Sequence, residues 1–331
     1  MSLQTLLDRG AAFDAEYADG LSNHLPMALL ALHTLGASDT RLERFAERYA
    51  VRLAPAPGAE AWSAGDAWTS RLGERGAWPA YRALFAQWIE WEGGDAVLSQ
   101  ALPRLMPGCG AAAFHGLIRT ACAVSSRHAG ELADGLAYWA CRYLDLGKDI
   151  DGRGEEADPA VVLAELHQQL ATRRFRQRLI FERMAAAARA RGFRKQAAAL
   201  GVEASTLPRL ARQAAALYAA SGDFTALHLV TACHAMRLLS PWWSEAPRTL
   251  ADFWRSYAAG VVASGVDLSA APRPAPEAAT WEALRDAALA SDDEHVIKLV
   301  FSCRDEFAAS ADEVWRHAAA RAVMGSGDPA R

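Results

Sequence analysis

Alternating runs of β-branched and aromatic residues bounded by turns are almost absent from this chain, and that absence constrains its fold more than any motif does. Segments dominated by alanine, leucine and arginine stand in their place, divided by glycine and proline. A strand that buries one face needs a period of two, whereas a helix tolerates this composition and buries a stripe. The expectation is an all-α protein, a multi-helix, bundle-like globule with any site inside its helical core. The 331 residues are read as one all-α domain. The polar stretch 147–159, GKDIDGRGEEADP, is the best place for a subdomain boundary, and the Pro/Ala stretch 271–280 reads as a linker.

Composition removes several function classes. With 52% hydrophobic and 22% charged residues and a formal net charge of −4, the chain has no basic footprint for nucleic acid. The arginine-rich run 171–195 is the one local exception, and its interspersed alanines and leucines read as a helix, over about 174–191, with a solvated face. Five dispersed cysteines without a CxxC pair indicate reduced thiols, hence a cytoplasmic setting, and give no zinc signature. The first residues carry acidic groups early and are not read as a secretory signal. No run reaches about 18 apolar residues, so no membrane span is expected.

Four segments carry chemistry. In 20–38, GLSNHLPMALLALHTLGAS, Ser22 or Asn23 can cap, Pro26 fits the first turn and Gly36 ends the helix, so His24 stands at the helix mouth. His33, farther along, reads as structural or surface. In 102–124 a glycine-rich turn leads into a helix with His115 and Arg119 at i, i+4 on one face. The text Gly108 to Ala113 satisfies a loose GxGxxA pattern, but no strand precedes it, so no dinucleotide fold is inferred. In 223–239, DFTALHLVTACHAMRLL, His228 and His234 project about 120° apart with Thr231 between them, so one ion is not shared by both. In 291–301, SDDEHVIKLVF, His295 and Lys298 lie three residues apart on one face of an apolar helix, where desolvation favours a neutral amine. Trp62, Trp68 and Trp78 crowd the long connection 54–79, as anchors or as a stacking platform for a flat ligand.

Each of these histidines alone is more often a hydrogen-bonded core residue than a ligand, and Lys298 alone would snorkel to water. Four apolar-flanked histidines with one buried lysine suit a metal site built from facing helices instead. Imidazoles with one carboxylate-like oxygen and an open position suit non-haem iron and oxygen. There is no HExxH or other local metal signature, so convergence within about 5 Å of a common point is the deciding observation.

NHLPMALLAL followed by LGAS, FHGLIRTACAV, HLVTACHAMRLL and DDEHVIKLVFSC, in this order from about residue 10 to 310, resemble the questin oxidase family of anthraquinone ring-opening oxygenases. The resemblance implies an all-α oxygenase that takes O2 and an aromatic, polycyclic phenol or quinone, with no flavin or haem site. It also implies Fe(II) held by His24, His115, His228 and His295, with Lys298, as a carbamate, the fifth ligand. His234 competes with His228. Arg119 is assigned to a substrate phenolate, and Thr231 and His234 to orienting a ligand or moving a proton. Two alternatives stay open: a metal-free, NADPH-dependent Baeyer–Villiger-type monooxygenase, and a non-catalytic helical protein that binds a hydrophobic ligand.

Overall fold

Helix starts in this chain are written in its capping residues. Ser38, Asp158, Asp223, Thr280 and Asp293 each turn a side-chain oxygen onto backbone N–H groups of the turn that follows, and a helix begins after each. Gly36, Gly222 and Gly265 end helices in the left-handed conformation that glycine adopts without strain. The computed structural model describes residues 1–62, 67–147, 150–269 and 279–325.

The order is α1 (Leu3–Gly10), a hairpin of two short strands, β1 (Glu16–Tyr17) and β2 (Leu21–Ser22), then α2 (Leu25–Leu35), α3 (Asp39–Ala50), α4 (Trp78–Glu92) and α5 (Gly94–Leu105). There follow α6 (His115–Ser126), α7 (Ala129–Cys141), α8 (Pro159–Leu170), α9 (Ile180–Ala188), α10 (Phe193–Ala197), α11 (Thr206–Ser221) and α12 (Phe224–Leu239). The chain closes with α13 (Ala246–Ser264), α14 (Trp281–Ala290), α15 (Glu294–Ser310) and α16 (Val314–Gly325). Apart from the hairpin and isolated bridges, the regular structure among the described residues is helical, so the fold is all-α as the composition requires.

Two features depart from the sequence reading. The arginine-rich run is not one helix from 174 to 191, because residues 172–179 are non-helical and α9 begins only at Ile180. The 19-residue helix α13 carries no side-chain N-cap, so it lacks a start signal, and most of it is buried. The larger hydrophobic core draws on residues from Ala15 to Ala322, on both sides of the 147–159 stretch, and a smaller one joins α1, α2 and α3 with Ile297. Most of the Pro/Ala stretch, 271–278, lies outside the described residues. Trp62 packs on Tyr81 at 4.9 Å and Trp68 on Phe85 at 5.7 Å, so the tryptophans anchor the connection to α4. No helix among the described residues is long and apolar enough to cross a membrane.

The packing that positions the site is tight. Gly116 of α6 and Gly135 of α7 let those helices meet at backbone distance, since a Cβ on Gly116 would lie 2.6 Å from Trp139 Cα and one on Gly135 2.9 Å from the Thr120 nitrogen. Helix α6 also contacts α2 and α12, and α15 contacts α2 and α12. Four chain segments distant in sequence thereby meet at one end.

Candidate metal centre

His24 is the residue before α2, His115 the first of α6, His295 the second of α15, and His228 lies in the second turn of α12. The turn before α6 is unusual: Ala112, Ala113 and Phe114 have φ of 46°, 57° and 68°, a left-handed run of non-glycine residues that costs of order 1–3 kcal/mol each. That run lets the Ala112 carbonyl come within 2.5 Å of His115 Nδ1.

The four rings form a closed circuit. Ring centroids are 4.6 Å apart for His24 and His115, 4.9 Å for His115 and His228, 6.0 Å for His228 and His295, and 4.7 Å for His295 and His24. Imidazole nitrogens about 2.1 Å from one ion, with centroids about 1.1 Å farther out, would put neighbouring centroids about 4.5–5.2 Å apart. Three of the four spacings fall in or near that range. Lys298 Nζ lies 3.1 Å from His24 Nδ1, and among the described residues no carboxylate pairs with it. The four rings thus border one space, and Lys298 adjoins it beside His24.

Hydrogen bonding fixes the tautomers of three rings. His115 Nδ1 faces the Ala112 carbonyl, His228 Nδ1 lies 2.7 Å from the Phe224 carbonyl, and His295 Nδ1 lies 3.4 Å from Asp293 Oδ1. Oxygen acceptors at Nδ1 place the proton there and leave the lone pair on Nε2. His115 Nε2 and His295 Nε2 are buried without a hydrogen-bond partner. Burying an unpaired polar nitrogen costs about 1–3 kcal/mol, and a cation between them removes the penalty. The donor set therefore fits a divalent transition metal. Among the described residues the donor atoms that all lie within 4.8 Å of one another are one each from His24, Glu294 and His295; His115 and His228 border the same space outside that tighter group.

Electrostatics agree with neutral imidazoles. His24, His115, His228 and Lys298 are each no more than 5% exposed. Burial pushes the imidazoles of His24 and His115 well below their usual range, and it brings His228 to about 3, with the neighbouring imidazoles and Lys298 reinforcing the shift. His295 is also lowered by burial, against the opposing pull of Asp293. Burial lowers Lys298 to about 8, partly offset by Glu294.

The circuit opens onto a cavity of about 280 Å³ walled by Leu21, Ile180, Phe181 and Phe224, with Arg52, Arg178 and Arg183 on its lining. The Phe224 ring sits 4.7 Å from both the His228 and His295 rings. Arg52 holds Glu294 through Nη1 and Nη2 at 3.3 and 3.0 Å and donates to the Tyr17 hydroxyl at 2.7 Å.

Three residues expected at the site are elsewhere. Arg119 shares a helix face with His115, but it lies about 6 Å farther along α6, where that face meets α7. There its guanidinium donates to Glu131 at 3.0 Å and Asp134 at 3.1 Å. His234 is about 9 Å along α12 from His228, and its Nε2 pairs with Asp305 at 2.9 Å. Thr231 spends its hydroxyl on the carbonyls of Leu227 and His228 in its own helix. None of the three lines the cavity. His33 is exposed, as expected. Sequence reasoning passed over Glu294, although it directly precedes His295. It also passed over Arg178 and Arg183, which sit in a run whose spacing reads as a solvated face.

Comparison with protein families matches residues 21–303 to the family described as questin oxidase-like. Among curated proteins none matches.

Proposed function

The chain belongs to the questin oxidase-like family, whose model spans most of it, and we propose that it is a non-haem iron oxygenase. Family membership supplies the broad class, an oxidoreductase of the oxygenase kind. The finer reading is that His24, His115, His228 and His295, with Lys298, hold Fe(II) and that an aromatic phenol or quinone occupies the adjoining cavity. The observation that carries it is the closed circuit of four neutral imidazoles, two of which bury an unpartnered Nε2.

Bound iron would supply redox chemistry toward O2 and Lewis-acid stabilisation of an oxyanion. The chain's own groups do the rest. The Ala112 and Phe224 carbonyls and Asp293 hold protons at the Nδ1 atoms, so each Nε2 keeps a lone pair aimed inward. Lys298, buried with a depressed pKa, carries a neutral-amine fraction near pH 7; addition to CO2 forms an N–C bond, releases a proton and leaves a carbamate oxygen donor. Phe181, Phe224 and Ile180 supply the apolar wall against which a flat ring would lie.

Elemental analysis of freshly purified protein tests this. Near-stoichiometric iron, lost in His295→Ala, is expected. Stoichiometric metal after that substitution would sink the assignment, and turnover unchanged after exhaustive chelation would return the metal-free NADPH-dependent reading.

A further inference from the structure

Five helices point their N-terminal ends at one cavity. His24 precedes α2, His115 opens α6, Leu179 precedes α9, Phe224 opens α12 and Glu294 opens α15, and all five residues line it. Each end carries roughly half a positive charge, felt within its first turn. Asp223, Asp293 and the Glu182 side chain cap three of these ends, whereas α2 and α6 have no charged cap.

The side chains add to the same sign. Three guanidinium groups line the cavity against one carboxylate, Glu294, and Arg52 already occupies that carboxylate. Arg178 reaches outward to the Asp19 carbonyl. Arg183 is different. Its Nη2 makes one long bond, 3.3 Å, to the Thr225 hydroxyl, and its Nε is buried with no partner. It lines the same cavity as His228, and its charge bears on that imidazole.

A planar donor with unspent N–H groups, beside apolar walls and positive helix ends, is built to receive an oxyanion on a flat ring. We propose that Arg183 is the specificity-determining residue of this cavity and that the substrate enters as an aromatic oxyanion, a phenolate or a carboxylate, held by its guanidinium. This rests on the reading of the cavity as an aromatic substrate site, and it is independent of whether a metal binds.

The experiment is equilibrium binding to the chelator-treated, full-length protein with two matched pairs. One pair is 2-hydroxy-1,4-naphthoquinone, an anion near neutral pH, against its neutral 2-methoxy ether; the other is 1-naphthoate against its methyl ester. Wild type should bind at least one anion roughly tenfold or more tighter than its neutral partner, and added salt should erode the gap. The pair that shows the preference tells phenolate from carboxylate. Arg183→Gln should reduce the ratio to near one, while Arg183→Lys, which keeps charge without the fork, should keep part of it. Equal affinity within both pairs for wild type would overturn the proposal, and so would an unchanged ratio in folded Arg183→Gln. The wild-type comparison stands even where a variant fails to fold. Anion preference without metal uptake would refute the iron site and spare this inference; metal uptake without anion preference would do the reverse.

Discussion

Replacing Lys298 with methionine should stabilise the metal-free protein while destroying its metal affinity. The amine is 4% exposed, and burial lowers its pKa from 10.5 to about 8. Holding an ammonium in the fold therefore costs roughly 3 kcal/mol. Between about pH 8 and 10.5 the unfolded chain binds a proton that the folded chain does not, so wild-type stability rises with pH across that window. Below about pH 8 the full penalty is present. Methionine keeps the unbranched stem and removes the charge, at the loss of the 3.1 Å bond to His24 Nδ1, worth about 1 kcal/mol. Metal-free Lys298→Met should therefore exceed metal-free wild type by roughly 2 kcal/mol at pH 7, and the gap should close as the pH nears 10.5. Urea denaturation after chelation at several pH values reads the difference, and other titrating groups cancel because both proteins share them. A variant less stable than wild type at pH 7, or a gap that does not change with pH, would refute the reasoning.

Acid should unfold the metal-free protein early. His228 titrates at about 3 in the fold and near 6.5 unfolded, so its contribution is present above pH 6.5 and is lost as the pH falls, roughly 2 kcal/mol by pH 5. His228→Gln should flatten the acid limb of a stability–pH curve, and an unchanged limb would count against the burial argument. Arg119→Met leaves Glu131 buried without its guanidinium and Asp134 with Arg82 alone, which should cost about 3–5 kcal/mol. Folded Arg119→Met should nevertheless keep its metal and KM, and a selective rise in KM would return Arg119 to the site. Gly116→Ala drives a methyl against Trp139 Cα and shifts α6 at the residue after His115; a loss of about 1–3 kcal/mol in urea denaturation, together with weaker metal binding, is expected.

The helical class and the four histidines were legible for one physical reason. Helix caps and apolar flanks are local, so Asp223, Gly36 and the neighbours of His24 or His228 declare themselves within a few residues. Arg119 shows the limit of face arithmetic. Spacing i, i+4 puts it on the face of His115, yet that face passes from the cavity to α7 within one turn, and only the crossing of α6 and α7 decides which it meets. Arg183 shows the converse. Nothing in its run separates it from Arg176 or Arg189, and it reaches the cavity only because α9 begins at Ile180 and turns its first residues inward.

A divalent cation beside three guanidinium groups, a lysine and the two helix ends without a charged cap is electrostatically opposed unless negative charge comes with it. Glu294 is the carboxylate on the cavity lining, and Arg52 holds it at 3.0 Å. The group free to become negative is Lys298, which exchanges a cost for a ligand when CO2 converts its amine to a carbamate. Metal affinity should therefore depend on CO2. In carbonate-depleted buffer wild type should bind Fe(II) at least tenfold more weakly than in bicarbonate, a difference of about 1.4 kcal/mol. Lys298→Met should bind weakly in both. A wild-type affinity indifferent to bicarbonate would mean that Glu294 leaves Arg52 to supply the charge. In that case Glu294→Gln, rather than Lys298→Met, would abolish binding.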